Sequence, residues 1–436
     1  MEQIVIAYET RSSKGLYTDL AQAVYPGTKI ISISNFRNAA DIWTGDYVYD
    51  DLGSFGDGDY REAELEIISR CRFLRSLDVE QAKMLASKVW KGISGLFERY
   101  QVIAVFQRMI DEYTLDIMER IATLHGVPVV SYVGHFFNGY FRITTRGELN
   151  NLRDNPSEAE IERVCKRVLN SGFKPSFELM REKSQAQVVK TYLRRKVIEN
   201  LYYPFMKAVD RDPLNYHYNT TVLRGIGVGC VSRNRYKGFS SVESLSSLDC
   251  GKAVYLPLHM IPEATTDYWC DDWHLTRYEQ GIVGVIESSD KDVIFIIKEH
   301  PSMDGWRNPS FYKRLKEFPN VYLIPPNDNS IALLNMVNNV VVHTGSVGVE
   351  ALMRGKRAFC LTSNYYSGLH PAAKLVDSIC VNQLSASIPK YDVSWFVRDL
   401  LKGLYPGTWI PNKGCRNSSF DALVAASKEY LRRYNA

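Results

Sequence analysis

The sequence has few features of a metal-binding, secreted or membrane-spanning protein. None of its eight cysteines lies in a Cys-X-X-Cys pair, which argues against a zinc site and against a disulfide framework. No stretch approaches the ~20 consecutive apolar residues of a membrane-spanning helix. Residues 1–8 have the pattern of a β-strand, not that of a signal peptide. These absences predict a cytoplasmic protein without a spanning segment.

The sequence also has little excess charge. Its 53 basic and 49 acidic residues give a formal charge of +4, so the overall balance provides no electrostatic case for binding nucleic acid. Apolar residues are abundant, at 45% of the 436 residues. A chain of this length and composition can bury a large core and is too long for one ordinary domain, which predicts two domains.

The stretch 339–356 has the clearest functional pattern. Residues 340–342 are an uninterrupted run of valines, which is typical of a strand buried on both faces of a parallel sheet. A short turn at 344–346 and a helix at 347–353 follow, and Gly355 is placed to end that helix. The pattern therefore predicts a strand, a tight turn and a helix N-terminus.

Such a turn can bind an anion, because the first N–H groups of a helix have no partner within the helix. The hydroxyls of Thr344 and Ser346 could donate further hydrogen bonds to a phosphate, Gly345 keeps the turn tight, and Glu350 could accept from sugar hydroxyls. The alternative is an ordinary strand-to-helix connection in which Thr344 or Ser346 only caps the helix.

A second predicted strand end in the same half of the chain carries chemically active side chains. Residues 293–297 predict a buried strand, so Lys298 and His300 emerge at its carboxyl end. The alternating strand and helix patterns predict a doubly wound sheet, in which this end and the 344–346 turn share one edge. We expect one positively biased phosphate pocket there. The Asp-X-Asp spacings of the chain lie elsewhere, so no metal is expected in it.

The N-terminal half also predicts a parallel sheet. Residues 101–106 have the pattern of a buried strand, 109–124 that of a helix and 127–132 that of the next strand. Asp111 and Glu112 therefore fall near the carboxyl end of a strand, where open α/β sheets bind ligands. The alternative is that both residues only favour the first turn of the helix.

The stretch 134–148 combines aromatic and basic residues, a mixture suited to an acidic sugar. His135, Arg142 and Arg146 could stack on a sugar ring and pair with its carboxylate, and Glu148 adds a further carboxylate. The alternative is a β-ribbon with mixed faces.

Residues 150–210 are helix-rich and predict a helical insertion in the first domain. Within this insertion, apolar residues at i+4 spacing form one stripe: Leu193, Val197, Leu201 and Phe205. Three basic residues lie beside the stripe: Arg194, Arg195 and Lys196. This pattern is typical of a helix on a membrane surface. The alternative is a core-packed helix with a solvated basic face.

Three motifs together resemble a known family. They are Lys-Glu-His-Pro at 298–301, Gly-Ser-Val-Gly-Val-Glu-Ala-Leu at 345–352 with Gly355 behind it, and Tyr-Leu-Pro-Leu-His at 255–259. In this order they resemble the capsule polysaccharide biosynthesis group of GT-B glycosyltransferases. That group includes the bacterial β-Kdo transferases and shares its His-Pro and Ser/Thr motifs with bacterial sialyltransferases.

The resemblance implies a donor in which CMP activates an acidic sugar such as Kdo, with His300, Thr344 and Ser346 on its phosphate. His259 stands where the family often has glutamine. The complete set of expected donor-binding residues is His259, Lys298, His300, Thr344, Gly345, Ser346 and Glu350.

The N-terminal half resembles the family only in its layout. Its candidate residues are therefore predicted from their types and positions alone. The candidates for acceptor binding are His135, Arg142 and Arg146, and those for the catalytic carboxylate are Asp111, Glu112 and Glu148.

We therefore predict an α/β protein of the GT-B class, with two Rossmann-like, doubly wound domains facing a cleft. The expected ranges are 1–235 and 236–415, followed by a terminal helix at 416–436. The predicted activity is metal-independent and cofactor-free transfer of a sugar from a nucleotide sugar to a glycan or glycolipid acceptor. A surface polysaccharide or lipopolysaccharide would be assembled at the inner face of the cytoplasmic membrane, where the enzyme could bind peripherally.

Two other functions fit the same patterns. A nucleotide-sugar 2-epimerase uses the same two-domain cleft and a similar turn, and it would need no acceptor. A non-catalytic glycan-binding subunit derived from a decayed transferase would bind a glycan without turnover.

Overall fold

The structure is a computed structural model of the chain. It describes residues 1–13, 15–49, 58–151, 153–170, 184–219, 228–232, 234–272, 276–409 and 419–434. Within these ranges no helix is both long and apolar enough to span a bilayer.

The strands of the described residues are short, and most lie in buried positions. In chain order they are β1 (Gln3–Tyr8), β2 (Lys29–Ser34), β3 (Ile42–Trp43), β4 (Gln101–Phe106), β5 (Val129–Val130), β6 (Tyr132–Gly134), β7 (Tyr140–Ile143), β8 (Ala253–Pro257), β9 (Ile294–Lys298), β10 (Val321–Ile324), β11 (Asn339–Val342), β12 (Arg357–Cys360), β13 (Ala373–Leu375) and β14 (Tyr405–Pro406).

The α-helices of the described residues alternate with the strands over much of the chain. In order they are α1 (Leu16–Val24), α2 (Thr44–Tyr49), α3 (Gly58–Arg70), α4 (Val79–Arg99), α5 (Tyr113–Leu124), α6 (Glu158–Leu169), α7 (Gln185–Val197), α8 (Tyr203–Asp210), α9 (Ala264–Asp267), α10 (Tyr278–Ser288), α11 (Pro309–Leu315), α12 (Ser330–Met336), α13 (Val347–Met353), α14 (Val381–Ser385), α15 (Val393–Lys402) and α16 (Phe420–Tyr434).

The chain divides into two compact units. The first unit consists of Met1–Pro156, Glu199–Thr221 and Leu401–Ala436, and the second of Ser157–Ile198 and Val222–Leu400. Each unit contains a parallel sheet with connecting helices. The predicted fold class, an α/β protein with two Rossmann-like domains, is confirmed.

The first unit is organised by a parallel sheet with the strand order β3-β2-β1-β4-β5. Five consecutive residues of β1 are buried, as expected for a strand covered on both faces. The direction in which successive strands are added reverses between β1 and β4. Open α/β sheets bind ligands outside the carboxyl ends of the strands at such a reversal.

A small antiparallel sheet, β14-β7-β6, and the helix α16 complete the first unit. Tyr405 of β14 pairs with Phe141 of β7. Leu423 of α16 lies in the same apolar core cluster as Val5 of β1. The hydroxyls of Tyr132 and Ser427 are 2.5 Å apart. Residues distant in sequence therefore form one core.

The second unit has a sheet with the order β10-β9-β8-β11-β12-β13, and all its pairings are parallel. Every residue of β11 and of β12 is buried, in agreement with the apolar residues 340–342 and 358–360 of these strands. The order of strand addition reverses between β8 and β11. This sheet therefore also has a ligand-binding position, outside the carboxyl ends of those two strands.

This division differs from the predicted ranges 1–235 and 236–415. Residues 157–198, predicted as part of an insertion in the first domain, group with the second unit. One reason is that Arg398 of α15 forms an ion pair with Glu158 of α6 at 2.6 Å. Residues 401–415 group with the first unit because β14 pairs with β7.

The predicted apolar stripe lies on α7, on a π-helical turn at Ile198–Tyr202 and on α8. Its side chains are exposed: Leu193 57%, Val197 56%, Leu201 66% and Phe205 63%. Because these residues face solvent, the core-packed alternative is wrong.

Candidate functional site

Three neighbouring strand ends of the second unit carry histidines. His300 follows β9, His259 follows β8 and His343 directly follows β11, and these strands are adjacent in the sheet. Two of the three therefore flank the reversal between β8 and β11, which is the expected ligand position.

His259 is the link between these strand ends. Its Nε2 accepts a hydrogen bond from the backbone N–H of Thr344 at 3.4 Å, and its ring lies edge-on to that of His343 with 5.7 Å between the centroids. A Cβ on Gly345 would lie 3.1 Å from the same Nε2. A side chain at position 345 would therefore crowd this imidazole unless the ring moved by a few tenths of an ångström.

The three imidazoles are neutral, because burial disfavours their charged forms. Burial lowers the pKa of His300 and that of His343 to about 4. The pKa of His259 lies well below its usual value, through burial and then through the neighbouring His343, His300 and Arg307. This edge therefore offers uncharged hydrogen-bonding groups in place of the positive histidine expected from sequence.

Lys298 is buried at the end of β9. It is 3% exposed, and its Nζ donates to the backbone oxygens of Pro326 at 2.8 Å and Glu299 at 3.4 Å. Lys298 therefore holds the end of β9 in place, and its predicted role in binding the donor stays a prediction.

A buried ion pair that sequence reasoning missed connects the ends of β8 and β9. The carboxylate of Glu299 accepts from Arg307 Nε at 2.5 Å, from the Tyr312 hydroxyl at 2.5 Å and from the N–H of His300 at 2.6 Å. Arg307 also donates to the carbonyl of His259 at 2.5 Å. This network fixes both histidines, and no local sequence pattern pairs residues 299 and 307.

The two hydroxyls of the turn after β11 differ in their contacts. Thr344 Oγ1 donates to the carbonyl of Thr265 at 3.0 Å. Ser346 stands at the start of α13 without capping it through its side chain. Glu350 lies one turn into α13, 4.0 Å from Arg354. Of the two predicted hydroxyls, Ser346 is thus the better placed to contact a ligand.

Gly348, the second residue of α13, lies close to the side chain of Tyr366. The hydroxyl of Tyr366 donates to the carbonyl of Gly345 at 2.8 Å, and a Cβ on Gly348 would lie 2.1 Å from that hydroxyl. The turn is therefore held between His259 on one side and Tyr366 on the other.

The first unit carries acidic groups at the equivalent position, the reversal between β1 and β4. Glu112, in the loop after β4, is fully buried. Tyr8, at the end of β1, donates its hydroxyl to Oε1 of Glu112, and Asn35 Nδ2 donates to Oε2 at 2.8 Å. The Oδ1 of Asn35 is in turn held by the hydroxyls of Thr44 at 2.6 Å and Thr114 at 3.1 Å.

Asp111 and Glu112 are adjacent in sequence and differ in their protonation. Burial, followed by repulsion from Asp111, raises the pKa of Glu112 to about 7 against the attraction of Arg108. Burial acts on Asp111 too, but the paired Arg108 guanidinium holds the pKa of Asp111 below its usual value. Arg108 Nε lies 3.0 Å from Asp111 Oδ1. Glu112 can therefore exchange a proton near neutral pH, whereas Asp111 stays ionised.

His217 belongs to this site and was not predicted. It lies in a 3-10 turn, Tyr216–Tyr218, with its Nε2 3.6 Å from Oε2 of Glu112 and its ring stacked on Phe36 at 4.4 Å. It is more than a hundred positions from Glu112 in the chain, and a single histidine in an aromatic turn carries no sequence signal.

The other candidates of the first unit have local structural contacts. Glu148 accepts from the N–H groups of Thr145 at 2.8 Å and Arg146 at 2.7 Å, which stabilises a turn. Arg146 pairs with Asp116 and, at 2.8 Å, with Glu119. Catalysis by Glu148 and acceptor binding by Arg146 stay predictions.

His135 and Arg142 are each only 2% exposed. The Nδ1 of His135 accepts from the N–H of Phe137 at 3.0 Å, and Arg142 lies in β7, opposite Val133. Their predicted contact with an acceptor also stays a prediction. In the part of the chain that the structure describes, no group of three or more His, Cys, Asp or Glu side chains is arranged to hold a metal ion.

Residues 282–370 match the family model described as capsule polysaccharide biosynthesis protein. The family resemblance is confirmed. The matched segment contains both His300 and residues 344–350, so it includes two of the three strand ends described above. No curated protein matches the chain.

Several solved structures are similar to this chain at low identity. A β-Kdo 2,7 transferase, KpsC of Thermosulfurimonas dismutans, is 13% identical over 97% of this chain and 99% of that chain, with a TM-score of 0.38. The β-Kdo 2,4 transferase of the same KpsC is 14% identical over 77% and 93%, with a TM-score of 0.33. A UDP-GlcNAc 2-epimerase from Methanocaldococcus jannaschii is 12% identical over 99% of both chains, with a TM-score of 0.25.

Proposed function

We propose that this protein is a glycosyltransferase of capsule polysaccharide biosynthesis that transfers an acidic sugar, Kdo or a close relative, from a CMP-linked donor. The acceptor would be a growing surface polysaccharide or a lipopolysaccharide. One observation carries the proposal. The segment that matches the family includes His300 and residues 344–350. His300 follows β9, which is the neighbour of β8, and residues 344–350 follow β11, which flanks the reversal of the second sheet.

The second unit would hold the donor phosphate through hydrogen bonds. His300, His259 and the hydroxyl of Ser346 are the candidate groups, and Glu350 could accept from the ribose or the sugar. The donor phosphodiester carries one negative charge, and this charge close to His300 would favour the protonated imidazole and raise its pKa. The imidazolium could then stabilise the negative charge of the departing nucleotide.

The first unit would supply the carboxylate chemistry. If configuration is retained, a carboxylate must attack the sugar carbon directly. Asp111 suits that role better than Glu112, because its side chain is 24% exposed and ionised. Glu112 is fully buried and suits proton exchange. The two carboxylates thus divide the roles that sequence reasoning left open.

A comparison of nucleotides tests the proposal. We expect CMP to raise the melting temperature, whereas UDP, GDP and dTDP should not. Turnover of a CMP-linked acidic sugar should persist in EDTA. Stabilisation by UDP alone, with conversion of a UDP-sugar in the absence of acceptor, would instead identify an epimerase. Glycan binding without turnover of any donor would identify a non-catalytic subunit.

We also propose that the exposed stripe associates peripherally with the inner face of the cytoplasmic membrane. Four large apolar side chains are more than half exposed, and Arg194, Arg195 and Lys196 lie beside them. Basic residues contribute about 1 kcal/mol each near an anionic surface. An apolar stripe with adjacent cations complements anionic lipid in both respects.

Vesicle sedimentation tests the membrane proposal. Reversing the charges of Arg194, Arg195 and Lys196 to Glu should release the protein from anionic vesicles, and Leu193→Ser with Phe205→Ser should do the same. Lys166→Glu is a matched control, since Lys166 is a 75% exposed lysine on α6. Absence of vesicle binding by the parent protein, or binding that salt does not weaken, would refute the electrostatic proposal.

A further inference from the structure

Two ionisable groups at the first unit's sheet reversal differ in their access to solvent. Glu112 is fully buried, and its carboxylate is bound by Tyr8 and Asn35. The side chain of His217, by contrast, is 19% exposed, and its Nε2 lies 3.6 Å from Glu112. A substrate can therefore reach His217 without reaching Glu112.

The position of His217 is fixed by contacts to both neighbouring strand ends. The backbone N–H of His217 donates to Oδ1 of Asn215 at 2.9 Å, and Nδ2 of Asn215 donates to the carbonyl of Asn35 at 2.5 Å. On the other side, the hydroxyl of Tyr216 donates to the carbonyl of Asp111 at 2.9 Å. The turn is thus attached to the loop after β2 and to the loop after β4.

We propose that His217 is a further catalytic residue of the transfer reaction, which takes the proton of the acceptor hydroxyl while Glu112 orients its imidazole and receives the displaced proton. This inference rests on the proposed function. It assigns to Glu112 an indirect role, because a fully buried carboxylate cannot contact the acceptor.

The proton balance of the step is closed. Asp111 first displaces the nucleotide, which leaves with the electron pair of the bond between the sugar carbon and the phosphate. The acceptor oxygen then forms a bond to the sugar carbon as the bond from that carbon to Asp111 breaks, and that electron pair returns to the carboxylate. The acceptor proton enters the imidazole at Nδ1, while Nε2, which faces Glu112, gives its proton to the ionised carboxylate. Glu112 then returns the proton to water through His217.

The surrounding charges are compatible with this exchange. Burial, followed by Arg108 and opposed by Asp111, lowers the pKa of His217 to about 3, so the imidazole is neutral before the step and gains the acceptor proton only as its other proton passes to Glu112. Arg11 also faces the pair, with its guanidinium 4.9 Å from the Phe36 ring centre. Tyr8 and Tyr216 also face the pair, and burial raises the pKa of each well above its usual value.

Two substitutions of His217 test the role. His217→Phe keeps the aromatic stack on Phe36, and His217→Gln keeps a hydrogen-bonding side chain. Both should lower kcat by about 10²- to 10⁴-fold, the range for a group that transfers a proton, without changing nucleotide affinity more than twofold. His125→Phe is the matched control, since His125 also lies against a phenylalanine ring, that of Phe97, at 5.1 Å.

A measurement that needs no activity makes the inference independent of the proposed function. In protein with labelled histidine, the NMR signal of His217 should shift with pH near 7 as Glu112 ionises, and Glu112→Gln should abolish that shift. If no sugar donor is turned over, the proposed function fails while this coupling still tests the pair. Absence of the shift, or wild-type turnover in either folded His217 variant, overturns the inference.

Discussion

The two sheets have their ligand positions at equivalent reversals of strand order, yet the groups there differ in chemical character. In the second unit the ends of β9, β8 and β11 carry neutral imidazoles, the hydroxyl of Ser346 and a carboxylate, Glu299, that accepts from Arg307 and Tyr312. In the first unit the edge between β1 and β4 has Glu112, which can hold a proton near neutral pH.

The difference shows that one part of the sequence determines where the ligand position lies and another part determines which chemical groups are present there. Buried apolar strands fix where each reversal lies, and that arrangement is common to both units. The residues immediately after the strands then decide whether the edge suits a phosphate or a proton transfer. Substitutions in those residues should therefore affect one edge without affecting the other.

The largest effect is expected at the acidic edge. Glu112→Gln removes the group that exchanges a proton, so turnover should fall by about 10⁴-fold, the upper end of the range for such a group. The dissociation constant of CMP should not change, because the nucleotide belongs to the other edge. Stopped assays and calorimetry measure the two quantities, with Glu98→Gln on an exposed part of α4 as the control. Weaker CMP binding by Glu112→Gln would contradict the separation of roles.

The next effect concerns stability, because the buried ion pair of Glu299 and Arg307 holds the ends of β8 and β9. We call this edge of the second sheet, with its uncharged histidines, the neutral edge. Arg307→Met leaves Glu299 buried and unpaired, which should lower the free energy of unfolding by about 3–5 kcal/mol. Arg314→Met removes exposed ion pairs with Glu287 and Glu317 and should lower the free energy of unfolding far less, because solvent screens exposed pairs. Urea denaturation compares the two variants. Similar losses would show that the buried pair has no special role.

A smaller effect is expected for His300→Ala. Loss of one charge-assisted hydrogen bond to the phosphate should weaken CMP binding by about 1.5–3 kcal/mol and should abolish turnover in a folded protein. Calorimetry measures the binding, with His125→Ala as the control histidine. If the folded variant keeps its activity, His300 is structural, and the neutral edge does not hold the donor.

The smallest effect is a pH dependence of opposite sign at the two edges. Glu112 has a pKa of about 7 in the folded protein, above its usual 4.5, so its contribution to stability is complete below pH 4.5 and is lost as the pH rises through 7. His343 has a pKa of about 4, below its usual 6.5, so its contribution is complete above pH 6.5 and is lost as the pH falls through 4.

The two groups therefore oppose each other between pH 4.5 and 6.5. Acidification from pH 6.5 to 4.5 should lower the free energy of unfolding of Glu112→Gln by about 1–3 kcal/mol more than that of the parent protein. The same acidification should lower the free energy of unfolding of His343→Gln by about 1–3 kcal/mol less than that of the parent protein. Urea denaturation at several pH values measures both slopes. Parallel changes in the two variants would contradict the assigned protonation states.

Much of the second unit could be predicted from sequence, because its strands are buried on both faces. The predicted helix at 347–353 has the bounds that the structure gives to α13. The strand predicted at 340–342 is β11 without its first residue. A fully buried strand reads as an uninterrupted apolar run, so the pattern is visible without knowledge of its neighbours.

The residues that complete each site could not be predicted, because their partners are distant in the chain. His217 and Arg307 act through contacts that no spacing reveals, and β14 is too short to show a strand pattern. Lys298 was placed correctly at the end of β9, but its side chain turns to the carbonyl of Pro326. Position along a strand is thus a local property, whereas the use of a side chain is not.

The inclusion of α16 in the first unit has a consequence for how the protein is made. Domains generally fold during synthesis in the order in which they emerge from the ribosome. Leu423 and Leu431, however, share a core cluster with Val5 and Leu20. Residues 420–434 emerge after every residue of the second unit, so the first unit begins to be synthesised earlier and is completed later. Part of its apolar core therefore stays exposed to solvent until α16 has been synthesised. We expect chaperones to bind a nascent chain that is stalled before residue 420.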